Sequence, residues 1–162
     1  EFLEEFGQKV GLEYAWARLF FPYGPREAAG RLVPTVLHGL LNGEIVNCSE
    51  GSQIRDFIYV EDVAEGLVRL LDCAASGVYN LGSGRGISVR ELVGRFGTAV
   101  RADSTKFLLF GTFPLRPDEP DEIIADINLL NRLLEWVPNT TLEQGIEKTV
   151  AWYRRSKSSK KD

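Results

Sequence analysis

Between Val60 and Phe96 the chain changes its hydrophobic period twice, and this constrains the fold more than any other feature. Val60, Val63, Ala64, Leu67, Val68 and Leu71 fall on one stripe of a helix running from Glu61 to Asp72. Ala74-Ala75-Ser76-Gly77 then leads into the short apolar strand Val78-Tyr79-Asn80-Leu81 and the glycine loop Gly82-Ser83-Gly84-Arg85-Gly86. Ser88 and Glu91 follow at the spacing of a capping box, in which each side chain satisfies a helix-end amide of the other. Strand, helix, strand, glycine loop and helix in succession predict an α/β fold with parallel strands.

The flanking segments extend the pattern. Phe2, Leu3, Phe6 and Val10 lie close to one helical face that Gly11 stops, and Leu12 to Phe21 reads as a largely buried strand running into Pro22-Tyr23-Gly24-Pro25. Val33, Val36, Leu37, Leu40 and Leu41 mark an amphipathic helix from Arg31 to Asn42, closed by Gly43. Ile45 to Cys48 and Ile54 to Tyr59 read as short strands on either side of Glu50-Gly51-Ser52. From Gly97 to Asp121 the pattern loosens around an apolar run at Phe107 to Phe110 and a proline-punctuated turn, Pro114 to Pro120. A strand at Glu122 to Ile127, a short helix at Leu129 to Leu134 and a closing helix at Leu142 to Tyr153, capped by Thr140 or Thr141, complete the reading.

Composition mainly excludes. The net charge of −4 argues against a nucleic-acid binder, and the basic residues Arg154, Arg155, Lys157, Lys160 and Lys161 read as a solvated end. Two cysteines and one histidine cannot assemble a soft-ligand metal centre or a disulfide framework, so no metal site is expected and a reducing, cytoplasmic setting is. No run of about 18 apolar residues predicts a membrane span. The chain has no methionine and opens on Glu1-Phe2-Leu3, so processing or truncation is expected to have made its start.

Single motifs are ambiguous. The glycine loop is G-x-G-x-G, one place short of the dinucleotide fingerprint, and reads either as a tight connector or as a phosphate cradle at a helix N-terminus. His38 has no partner at motif spacing, and Asp121, Glu122 and Asp126 read as a solvated strand edge. Arg31, Arg55 and Arg116 carry the forked geometry that suits a diphosphate, although each alone reads as a salt-bridge partner.

Five segments taken in order are more specific. They are Arg18 to Pro25 (RLFFPYGP), Arg31 to Pro34 (RLVP), Arg55 to Ala64 (RDFIYVEDVA), Val78 to Gly82 (VYNLG) and Arg116 to Pro120 (RPDEP). Together they resemble the C-terminal half of the extended short-chain dehydrogenase/reductases, the NAD-dependent nucleotide-sugar epimerase/dehydratase family. The resemblance implies a Rossmann-type doubly wound parallel sheet with a small mixed α/β substrate lobe. Residues 1–25 and 56–83 would supply the last elements of the Rossmann domain, and 26–55 and 84–162 mainly the lobe and C-terminal helices. It implies a nucleotide-diphosphate sugar as partner, NAD or NADP as cofactor and a homodimeric parent enzyme. Arg55 and Arg116 would clamp the diphosphate, with Arg31, Leu32 and Val33 near the nucleotide and Asn80 near the cleft. Phe21, Pro22 and Tyr23 would lie near the nicotinamide and hexose. Phe21 stands where the family often has Asn, and Asp118 where it often has Gly.

In the family the cofactor glycine loop and the catalytic Tyr-x-x-x-Lys pair precede the segments matched here, so no catalytic residue is expected in this chain and the chain alone is expected to be inactive. Tyr153 and Lys157 repeat that spacing by coincidence, in the last ten residues with no strand after them. Two other readings stay open: a catalytically silent nucleotide-sugar-binding or scaffolding module, and an unrelated α/β interaction domain.

Overall fold

The computed structural model describes residues 2–158; Glu1 and residues 159–162, including the end of the basic run, lie outside them. In chain order the elements begin with α1 (Phe2–Val10), β1 (Ala15–Leu19), β2 (Phe21–Tyr23), α2 (Leu32–Asn42), β3 (Val46–Cys48), β4 (Ile54–Arg55) and β5 (Phe57–Tyr59). They continue with α3 (Val60–Asp72), β6 (Gly77–Leu81), β7 (Ile87–Ser88), α4 (Val89–Val100), β8 (Leu108–Phe110), β9 (Glu122–Ile123), α5 (Asn128–Leu134) and α6 (Leu142–Ser158). The α/β architecture with mostly parallel pairing is the predicted one. None of these helices is long and apolar enough to cross a membrane.

Two predicted strands are divided, and in both cases a change of partner divides them. The line from Ala15 to Tyr23 runs parallel to β6 as far as Leu19, then parallel to β5 from Phe21. Phe20 sits at the exchange, its amide donating to Leu81 while that of Phe21 donates to Asp56. The line from Ile54 to Tyr59 breaks at Asp56: β4 pairs antiparallel with β7 and parallel with β9, whereas β5 joins β2. The strands flanking Glu50-Gly51-Ser52 do not pair with each other, since β3 runs parallel to β8. Leu12 to Tyr14 is not strand, and β1 is mainly exposed rather than buried, with Trp16 at 49% and Leu19 at 45%. Among the described residues β6 is its one strand neighbour, and Val78 of β6 shares the exposure.

Two cores result. The larger packs the apolar faces of α2, α4 and α6 around Tyr23, Tyr59, Phe96 and Leu108. The smaller sets α3 and α5 against β6 through Ile58, Leu70, Leu81, Leu130 and Trp136. Local signals fix the helix starts. Ser88 Oγ accepts from the Glu91 amide at 3.1 Å, but the return half of that box is missing because the Glu91 carboxylate binds Arg95. At α6 the reciprocal box is complete: Gln144 N donates to Thr141 Oγ1 at 3.2 Å and Thr141 N to Gln144 Oε1 at 2.9 Å. α6 also needs Gly145, because any side chain there would run into the Tyr23 hydroxyl.

Candidate functional site

A cavity of about 730 Å3 opens between β2, the first turn of α2, the β3 end, Arg55 and the 113–119 segment, a size suited to a small-molecule ligand. Its walls bring together Phe21, Pro22, Tyr23, Arg31, Leu32, Val33, Arg55 and Arg116, from segments far apart in the chain. Asn80 lies elsewhere: it is half-buried on β6, and its Nδ2 donates to the Asp126 carbonyl at 3.2 Å.

The three arginines differ in environment. Arg55 is buried, with its guanidinium beside the Phe21 ring at 5.7 Å from the centroid. Nη1 donates to the Ile54 carbonyl at 2.7 Å and the Asp121 carbonyl at 3.4 Å, and Nη2 pairs with Glu119 at 2.8 Å. Arg31 is exposed at the start of α2 and lies 3.6 Å from Glu27. Burial pushes the Glu27 carboxyl above its ordinary range, an effect that Arg31 only partly opposes. Arg116 is exposed in the proline turn, whose closing hydrogen bond runs from the Glu119 amide to the Arg116 carbonyl at 3.1 Å. Three arginines against Glu27 and Glu119 leave the cavity wall with a net positive charge.

Tyr23 is structural at its hydroxyl, which donates to the Leu142 carbonyl at 3.3 Å. Burial, with Tyr59, Asp62 and Glu143 adding to it, holds the phenol well above its ordinary range, so it stays protonated.

Asp56 is the residue whose importance sequence reasoning missed. Its carboxylate is fully buried and accepts four hydrogen bonds: from Ser83 N at 2.8 Å, Ser83 Oγ at 2.5 Å, Gly84 N at 2.9 Å and Ala125 N at 3.1 Å. The glycine loop therefore does hold an anion, but an internal one. Gly82 permits the approach, since a Cβ there would stand 2.6 Å from Asp56 Oδ2. The connector reading of the loop fits this, and the phosphate-cradle reading does not, because the Ser83, Gly84 and Arg85 amides are already occupied. A signal was available in the sequence: an acidic residue inside the strand run Ile54 to Tyr59 needs buried donors if the run is buried. Asp62 behaves alike, accepting from the Asn139 and Thr140 amides at 3.2 Å each.

The remaining motifs fall to structural roles. Tyr153 is buried edge-on against His38, with ring centroids 5.3 Å apart, while Lys157 donates to the Leu41 carbonyl at 2.6 Å. The Tyr153 phenol is raised by burial, the reverse of what a catalytic lysine would do. Asp121, Glu122 and Asp126 are exposed, and no cluster of metal-ligating residues occurs among the described residues.

Residues 1–82 match the NAD dependent epimerase/dehydratase family. The chain is 30% identical over 145 residues to UDP-glucuronic acid decarboxylase 6 of Arabidopsis thaliana, covering 88% of this chain and 41% of that protein. Its fold superimposes on UDP-glucose 4-epimerase of Thermotoga maritima, solved with UDP-glucose, with TM-score 0.85 and 29% identity over 96% of this chain and 50% of that one. UDP-glucose 4-epimerase of Thermus thermophilus, solved with NAD, gives TM-score 0.81 and 28% identity over 94% of this chain and 50% of that one. The chain thus spans half or less of the length of these relatives.

Proposed function

Since the chain belongs to the NAD dependent epimerase/dehydratase family, we propose that it forms the C-terminal, nucleotide-sugar-binding portion of an enzyme that acts by transient hydride transfer at a hexose carbon. The observation that carries this reading is the cavity, which gathers three arginines, an apolar wall and a helix start from five separate segments. Arg55 and Arg116 hold the diphosphate, with the rigid fork of Arg55 already ordered by two backbone carbonyls. Arg31, Leu32 and Val33 flank the nucleotide, and Phe21 and Pro22 face the hexose. Asn80 takes no part in this cavity, since its side chain is tied to the Asp126 carbonyl.

NAD or NADP, when bound, supplies the hydride acceptor. The residues described here do not by themselves fit a dinucleotide: the one glycine loop of suitable shape is filled by Asp56, and only the apolar wall at Phe21, Pro22 and Tyr23 suits a nicotinamide. No chemical step is therefore assigned to this chain, whose part is to bind and orient the sugar nucleotide. In the same reading residues 1–25 and 56–83 belong to the dinucleotide-binding domain, and the parent enzyme is a homodimer.

Calorimetry with UDP-, dTDP- and CDP-sugars on Arg55→Ala and Arg55→Lys tests the proposal. Loss of the guanidinium contact should weaken the preferred nucleotide about tenfold or more in both variants, the scale of a charge-assisted bond. Thermal melts separate this from unfolding, and unchanged affinity in a folded variant would remove the diphosphate clamp.

A further inference from the structure

The guanidinium best placed for a diphosphate is already in use. The Arg55 side chain is 4% exposed and that of Glu119, paired with it at 2.8 Å, 28%, and both line the cavity, so the carboxylate is the more accessible member of the pair. With Nη1 committed to the Ile54 and Asp121 carbonyls and Nη2 to Glu119, a ligand phosphate cannot take the fork in bidentate fashion while Glu119 remains. Gln53 steadies the arrangement, its Nε2 lying 3.4 Å from the same Glu119 oxygen.

Glu119 is also the part able to move. It sits between Pro117 and Pro120 at the end of the turn that carries Arg116, and apart from the turn bond its described polar contacts are those with Arg55 and Gln53. Arg55 by contrast is held on both ends and packed against Phe21. In an exchange of partners the carboxylate leaves and the guanidinium stays.

We propose that Glu119 is a resident anion of the site, a side-chain carboxylate that occupies Arg55 when the cavity is empty and is displaced by the ligand diphosphate. The pair keeps a buried cation compensated between turnovers, which a cation left alone in this place would not be. It also sets a threshold: a weakly bound anion does not recover the ion pair it must break, whereas a diphosphate held by Arg55 and Arg116 together does. Because displacement is a cost of binding, Glu119 lowers diphosphate affinity and favours release.

This inference rests on the reading of the cavity as a diphosphate site, and its test separates the two. Titrating UDP and uridine into the wild-type protein, Glu119→Gln and Arg55→Lys is sufficient. Glutamine keeps a hydrogen bond to Arg55 and the shape of the turn, so the variant should fold, and melts confirm that it does. UDP should bind Glu119→Gln about three- to tenfold more tightly, the difference between a charged and a neutral acceptor on the same donor. Uridine, which does not reach Arg55, should be unaffected. Unchanged or weaker UDP binding in Glu119→Gln, with Arg55→Lys impaired, overturns the resident anion and leaves the diphosphate site standing. UDP binding that is indifferent to Arg55→Lys overturns both.

Discussion

Replacing Asp56 by asparagine tests the central structural argument, that an internal carboxylate holds the glycine loop. Oδ1 accepts from Ser83 N and Ser83 Oγ, and Oδ2 from Gly84 N and Ala125 N. Asparagine must turn its amino group toward one of these pairs. The less costly choice is the Ser83 side, where the hydroxyl can rotate to accept, and even this orphans one backbone amide and removes the charge from the remaining bonds. An unsatisfied buried donor costs about 1–3 kcal/mol, and each bond that loses its charge assistance about 1 kcal/mol, so a loss of about 3–5 kcal/mol is expected. Against a typical domain stability of about 5–15 kcal/mol that is a large fraction. Urea unfolding of the two proteins measures it, and hydrogen exchange of the Ser83, Gly84 and Ala125 amides locates it, since those three should lose protection first. A loss below about 1 kcal/mol with protection intact would refute the account, because it would mean that water or another group replaces the carboxylate without cost.

Two further expectations follow from the packing around the cavity. Gly145→Ala should lower stability by about 1–3 kcal/mol despite alanine's helix propensity, because its methyl meets the Tyr23 hydroxyl; a melting temperature equal to or above wild type would refute this. Burial raises the Glu27 carboxyl, so the folded state favours its protonated form: that contribution is full at pH below the unfolded carboxyl's titration and is lost as pH rises through the folded value. Glu27→Gln should therefore melt about 2 °C above wild type at pH 7, with the gap closing below the carboxylate range; a gap that widens on acidification would contradict it.

The sequence by itself determined the helices and their order. A 3.6-residue apolar period is local information, joined at α4 and α6 by a capping side chain, and α2, α3, α4 and α6 start within about a residue of the expected positions for that reason. It also determined the family, through segments such as Arg55 to Ala64, and with it the membership of the cavity, since eight of the nine residues singled out line one wall system. Strand identity was half legible. An apolar run such as Ile54 to Tyr59 reads as one strand whatever it pairs with, and nothing within the run says that partners change at Asp56. Tertiary structure alone decided that exchange, the pairing of β3 with β8, and the exposure of β1. It alone decided, too, that two acidic residues are spoken for: Asp56 binds the glycine loop and the Ala125 amide across 27 and 69 residues of chain, and Glu119 occupies Arg55 across 64. The physical reason is the same in each case. A buried charge takes whichever compensating donors the fold brings within hydrogen-bonding reach, and those donors come from segments whose spacing along the chain carries no trace of the contact.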